Sequence, residues 1–136
     1  MQTFLPYNDF RDSARVLDRQ RLGKQRVETL QLLKALAGET KGWVNHPAAK
    51  MWRGYENALA IYGAAMCDEW TRRGYKDSCR EKILAYRDHT TAVVVPPWLG
   101  REDFHASHRS NLLRKDAKYY GQFGWVESDD LPYVWE

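Results

Sequence analysis

A chain of 136 residues with 43% hydrophobic side chains has the size of one domain and is long enough to bury a core without disulfides or metals. Its two cysteines, Cys67 and Cys79, fall in neither C-x-x-C nor any other metal-ligand spacing, and no signal peptide or apolar run of membrane-spanning length can be read, which excludes disulfide scaffolds and membrane spans and predicts a cytoplasmic protein with free thiols. The net charge of +3 is modest but local: six basic residues between Arg11 and Arg26 stand against only Asp12 and Asp18, the footprint of a phosphate-binding face.

The N-terminal M-Q-T-F-L-P-Y is apolar and extended, because Pro6 lacks a donor and biases Leu5 away from helix, so it is expected to lie against the core. Asn8 is the expected cap of a short helix through Val16. Asp18 is the expected cap of a long helix reaching Leu36, so the basic residues gather around a helix N-terminus, an arrangement that suits phosphate. The first half of the long helix carries Arg19, Arg21, Lys24 and Arg26. Its second half is apolar, with Val27, Leu30, Leu33 and Ala37 at helical spacing. Glu28 sits at the junction, one and two turns after Lys24 and Arg21. A carboxylate there is either an acid-base group or one half of an ion pair that tethers the helix.

Gly38 ends this helix. Pro47, preceded by Asn45 and His46 as caps, opens a second long helix that runs to Arg73, with Trp52, Tyr55, Leu59, Tyr62, Met66 and Trp70 on one face. Gly54 and Gly63 lie inside it, and at least one is expected to allow close backbone approach. Asp77 or Ser78 caps a shorter helix from Cys79 to Tyr86. The T-T-A-V-V-V-P-P-W-L-G that follows is Pro-broken and reads as loop, since its valines have no partner strand. A third principal helix spans about Glu102 to Arg114, a helical turn begins at D-A-K-Y-Y-G, and the tail is aromatic and irregular. The expected fold is all-α, a single domain of three principal helices plus short ones.

Six Trp, eight Tyr and four Phe exceed what a core of this size needs. Trp43 and the Tyr119-Tyr120 pair can stack on unpaired bases, whereas Trp52 and Tyr120 read better as core. Asn45 and His46 can hydrogen-bond a base edge or a sugar as readily as they cap a helix. His105 and His108, with Glu102, have a spacing that could hold a metal, but a third certain ligand is missing. No metal or cofactor is therefore expected, and His108 and Arg109 are assigned to contacts with phosphate or with buried backbone. No G-x-S-x-G and no glycine-rich phosphate loop is present.

The segment D-R-Q-R-L-G-K-Q-R-V-E, the R-R-G-Y helix ending and K-Y-Y-G at Lys118 to Gly121 together resemble, in order and spacing, the small helical pyrimidine-dimer DNA glycosylases of the endonuclease V type. The first segment is similar to the family's D-Q-H-L and catalytic Glu with one residue inserted, which puts Gln20 on the family's Gln and Glu28 on its Glu. The resemblance implies attack of an N-terminal amine on C1′ of a damaged nucleotide, a Schiff base, and base loss and strand cleavage assisted by the Glu. Met1 and Glu28 would then be catalytic, and Gln20, Arg15, Arg19, Arg21, Lys24, Arg26, Asn45, His46, His108 and Arg109 would contact DNA. The implied partner is double-stranded DNA with a damaged or modified base, bound by a monomer in the cytoplasm. One departure stands out. The family exposes a Thr amine after methionine removal, whereas here residue 2 is Gln2, whose bulk should block that removal, and Thr3 is one place late. Either Met1 supplies the amine, or the glycosylase lacks the lyase step, or the substrate differs. Two other classes remain open at this level, a noncatalytic nucleic-acid-binding protein and a metal-dependent nuclease using His105 and His108.

Overall fold

The computed structural model describes residues 1–135. Its elements are α1 (Phe10–Val16), α2 (Arg19–Leu36), α3 (Pro47–Trp52), α4 (Glu56–Arg72), α5 (Arg80–Leu84), α6 (Glu102–Lys115) and α7 (Ala117–Tyr120), followed by a 3-10 turn at Gly121–Phe123. Among the described residues there is no strand, so the all-α expectation holds, with α2, α4 and α6 as the principal helices. Among the described residues no helix is long and apolar enough to cross a membrane.

The core is built where α2 crosses α4. Gly63 makes the crossing possible: a Cβ on it would lie 2.5 Å from Thr29 Cγ2, so the helices approach closely only because this side chain is absent. Gly54 does something else. It takes φ +90°, a left-handed conformation, and with the extended Arg53 it separates α3 from α4, so the single helix expected from Pro47 to Arg73 is two. Pro47 opens α3 with the His46 imidazole as its cap, as expected, and Gly38 at φ +79° closes α2.

Two local expectations need correction. The cap of α1 is Asp9, whose carboxylate accepts from Asp12 N–H at 2.9 Å, rather than Asn8. On α2 the buried face is Leu22, Gln25, Thr29, Leu32 and Leu33, while Val27 is 44% exposed. Of the expected apolar stripe Leu33 is buried and Leu30 packs against the core, but the buried face is rotated away from Val27 because Gln25 and Thr29 belong to the core.

The C-terminal tail is fastened along α6 by a ladder of polar side chains one helical turn apart. Ser107 Oγ accepts from Val134 N–H at 3.1 Å, Ser110 Oγ from Leu131 N–H at 3.0 Å, Asn111 donates to Leu131 O at 3.1 Å and Arg114 to Asp129 O at 2.8 Å. Trp52 and Tyr120 are fully buried, as read from the sequence, and Cys67 and Cys79 are buried free thiols.

Candidate active site

Residues 2–6 lie in a slot between α2, α4 and α6 and are buried throughout. An extended segment in a helical protein has no ladder to satisfy its backbone, so side chains must do it. Gln25 acts as a substitute strand: its amide Nε2 donates to Gln2 O at 2.8 Å and its Oε1 accepts from Phe4 N–H at 3.0 Å. The Tyr62 hydroxyl lies 2.6 Å from the same Oε1 and 2.9 Å from Phe4 O. Trp52 Nε1 donates to Thr3 Oγ1 at 3.0 Å, and Thr3 N–H donates to the Gln2 side chain at 2.8 Å.

From the other side α6 holds Leu5 and Pro6. Gly100 N–H donates to His105 Nε2 at 2.9 Å, so the neutral ring carries its proton on Nδ1 and donates to Leu5 O at 2.8 Å. Leu5 N–H donates to His108 Nδ1 at 2.8 Å, and Arg109 donates to Pro6 O at 2.7 Å while pairing with Glu127 and Glu102. His108 and Arg109 thus contact buried backbone, not phosphate; His108 is fully buried and Arg109 is 8% exposed, which removes both from any DNA face. Burial pushes the His108 imidazole down to about 3 and also lowers His105. Both rings are committed to the chain's own backbone, and no cluster of three metal-ligating side chains occurs among the described residues, so the nuclease reading has no site to rest on.

The slot delivers the start of the chain to Glu28. Gln2 N–H donates to Glu28 Oε2 at 3.2 Å, and Met1, Gln2, Phe4, Gln20, Arg21, Lys24, Glu28, Lys115 and Tyr133 line a cleft of about 310 Å³. Glu28 has no ion pair within 4.0 Å among the described residues, and Arg21 instead pairs with Asp18 at 3.2 Å. The ion pair with Lys24 or Arg21 that a tethering Glu28 would make is not formed. Lys24 and Lys115 make no ion pair there either and leave the cleft wall cationic.

His46 stands beside this cleft. Its Nδ1 accepts from Ala48 N–H at 3.0 Å, and its ring meets Trp43 and Trp135 edge-on, with centroids 5.4 and 5.8 Å away. Burial and the positive N-terminal amine lower its proton affinity, while Glu28 acts in the opposite sense, so the imidazole feels both charges of the cleft. Asn45 is exposed on the same turn, and Trp43 is 36% exposed.

The basic cluster read from the sequence divides. Gln20, Arg21 and Lys24 belong to the cleft with Glu28. Arg26 faces away, in a 13%-exposed ion pair with Asp77 and with its guanidinium 4.3 Å above the Trp70 ring, so its expected DNA contact gives way to a structural one. Burial opposes the Asp77 carboxylate, but Arg26 and the N–H groups of Arg80 and Cys79 outweigh it and hold its pKa below the usual carboxylate range. Arg19 is exposed at the start of α2, and Arg15, on α1, forms an exposed pair with Asp12 at 3.5 Å. The α2 N-terminus offers no vacant phosphate site, because the Asp18 carboxylate already accepts from Arg21 N–H and takes the Tyr120 hydroxyl.

Sequence reasoning missed Gln25, Lys115 and Tyr133. Gln25 is buried through long-range bonds to the backbone of Gln2 and Phe4, and the other two reach the cleft only through the packing of α6 and the tail.

Residues 1–83 match the family model described as pyrimidine dimer DNA glycosylase, more than half of the 136-residue chain and the whole stretch from Met1 through Glu28 to α5. No curated protein and no solved structure matches the chain. With Gln20 and Glu28 in one cleft beside the first residue, and with the family match spanning all three, the chain belongs to the pyrimidine dimer DNA glycosylase family.

Proposed function

We propose that this protein is a DNA glycosylase that removes a damaged or modified pyrimidine from double-stranded DNA, with the Met1 amine as nucleophile and Glu28 as the group that assists base loss. The observation that carries the reading is the grip on residues 2–6, which holds the Gln2 N–H on Glu28 and brings the residue before it into the same cleft. In chemical terms, the amine attacks C1′, positive charge develops on the sugar, and an unpaired carboxylate nearby stabilises that charge and takes the proton the amine sheds. Met1 in place of the family's Thr keeps the nucleophile an α-amine, so the chemistry is of the same kind and a Schiff base can still form. Gln20, Arg21, Lys24 and Lys115 on the cleft wall receive the phosphate backbone, and Asn45 lies on the adjoining loop. The protein acts as a monomer in the cytoplasm, without metal or cofactor.

The test is incubation with ultraviolet-irradiated, abasic and undamaged duplexes, with and without chelator. Base release confined to irradiated DNA and indifferent to chelator is expected. Binding with no release would make the protein a reader of damage, and chelator-sensitive cutting would replace amine chemistry by metal chemistry.

A further inference from the structure

The cleft explains an amine and a carboxylate acting on the sugar, but it leaves the departing base without a partner. When the C1′–N1 bond breaks, its electron pair leaves with the pyrimidine and spreads from N1 onto the C2 carbonyl oxygen. The amine lone pair forms the new bond to C1′. The proton the amine loses passes to Glu28 and afterwards to the base, so charge and protons balance. A donor fixed where negative charge gathers on O2 would speed this step, as oxyanion donors do in acyl transfer.

His46 has the properties of that donor. Its Nδ1 is occupied by the Ala48 N–H at 3.0 Å, which fixes the neutral tautomer with the proton on Nε2. That nitrogen has no hydrogen-bond partner and is not a buried orphan, so it is open to a ligand. The ring is held edge-on by Trp43 and Trp135, and Trp135 in turn packs on Tyr133 at 5.5 Å, a residue of the cleft wall. His46 is therefore joined to the cleft wall through Trp135 and Tyr133 and carries one N–H without a protein partner among the described residues. Its lowered proton affinity keeps it neutral near pH 7, so it donates a hydrogen bond without giving up a proton.

We propose that His46 recognises the target pyrimidine by donating its Nε2–H to a ring carbonyl oxygen and stabilises that base as it leaves. The proposal rests on the glycosylase reading of the same site. It distinguishes a substrate-contacting His46 from one that only caps α3.

His46→Asn is the informative variant, because Asn is a strong N-cap and its Oδ1 can still accept from Ala48 N–H while the outward N–H of the ring is lost. Four quantities are compared with the parent: melting temperature, single-turnover excision from an irradiated duplex, borohydride trapping on an abasic duplex, and the ratio of affinities for a dimer-containing duplex and one with tetrahydrofuran in its place. The melting temperature and the trapping, in which no base takes part, should stay near parental values. Excision should fall about a hundredfold and the affinity ratio about tenfold, the scales of one lost oxyanion donor and one lost hydrogen bond. Undiminished excision, or excision and trapping falling together, would overturn the assignment. Should the parent release no base, the glycosylase reading fails and the affinity ratio alone decides: a fall in the variant supports His46 as a contact to the base, and an unchanged ratio refutes it.

Discussion

The two flanks of α2 carry similar residues in the sequence and do opposite things in the fold. On one flank Arg21, Lys24 and Glu28 open onto a cleft, with Glu28 free of any ion pair and touched only by the Gln2 N–H. On the other, Arg26 is folded into an ion pair with Asp77, itself 6% exposed, and lies over Trp70, whose ring fits because Gly23 leaves room, 3.1 Å from where a Cβ would be. One flank leaves Lys24 and Glu28 without an ion pair among the described residues, while the other folds Arg26 and Asp77 into a partly buried pair. Charges left over after folding are the ones available to a substrate, and this is the ground on which the cleft flank is proposed as the functional one.

Four substitutions or conditions test that contrast. Glu28→Gln should lower single-turnover excision by roughly a hundredfold or more while leaving melting temperature and duplex affinity nearly unchanged, since Gln can accept from Gln2 N–H but cannot balance charge on the sugar. A destabilised yet active variant would make Glu28 a tether. Arg26→Met should do the reverse: leaving Asp77 uncompensated costs about 3 kcal/mol of stability, read from denaturant unfolding, with duplex affinity of the folded protein preserved. Loss of affinity at full stability would move the DNA face to this flank.

Acid should act through the slot that holds residues 2–6. The folded His108 is held near 3 against an ordinary 6.5, so between those values the unfolded chain binds a proton that the native state refuses. Stability therefore falls as pH drops from 6.5 toward 3, with a slope of up to roughly 1.4 kcal/mol per pH unit from this residue. Urea titrations across that range should show the slope in the parent and its reduction in His108→Gln. The smallest effect belongs to the cleft wall: Lys24→Ala should reduce the salt dependence of duplex binding by about one phosphate contact, whereas Arg26→Met leaves that slope alone.

The frame of this division was legible in the sequence, and its sidedness was not. Asp18, Gly38, Pro47 and the His46 cap announce themselves because capping and left-handed turns are decided within a few residues. Glu28 stood out as a carboxylate at a junction. The Arg and Lys residues of α2 read as one cluster, yet successive residues turn by about 100°, which sends Arg26 to a partner 51 positions away and Lys24 to the cleft. Gln25 and Thr29 looked like surface because they are polar. Gln25 is buried by the backbone of residues 2–4, and Thr29 by Gly63, contacts that local periodicity does not encode. His105, His108 and Arg109 carried the chemistry of a site but serve the extended N-terminal segment instead, whose lack of a strand partner creates that demand.

The central claim is that this fold presents its first amine to Glu28. Borohydride trapping on an abasic duplex followed by peptide mapping of the adduct tests it most directly. The account predicts a single adduct on the α-amine of Met1, abolished by acetylating the N-terminus and retained when Lys24 and Lys115 are both changed to Arg. An adduct on Lys24 or Lys115, whose amines line the same cleft, would contradict it.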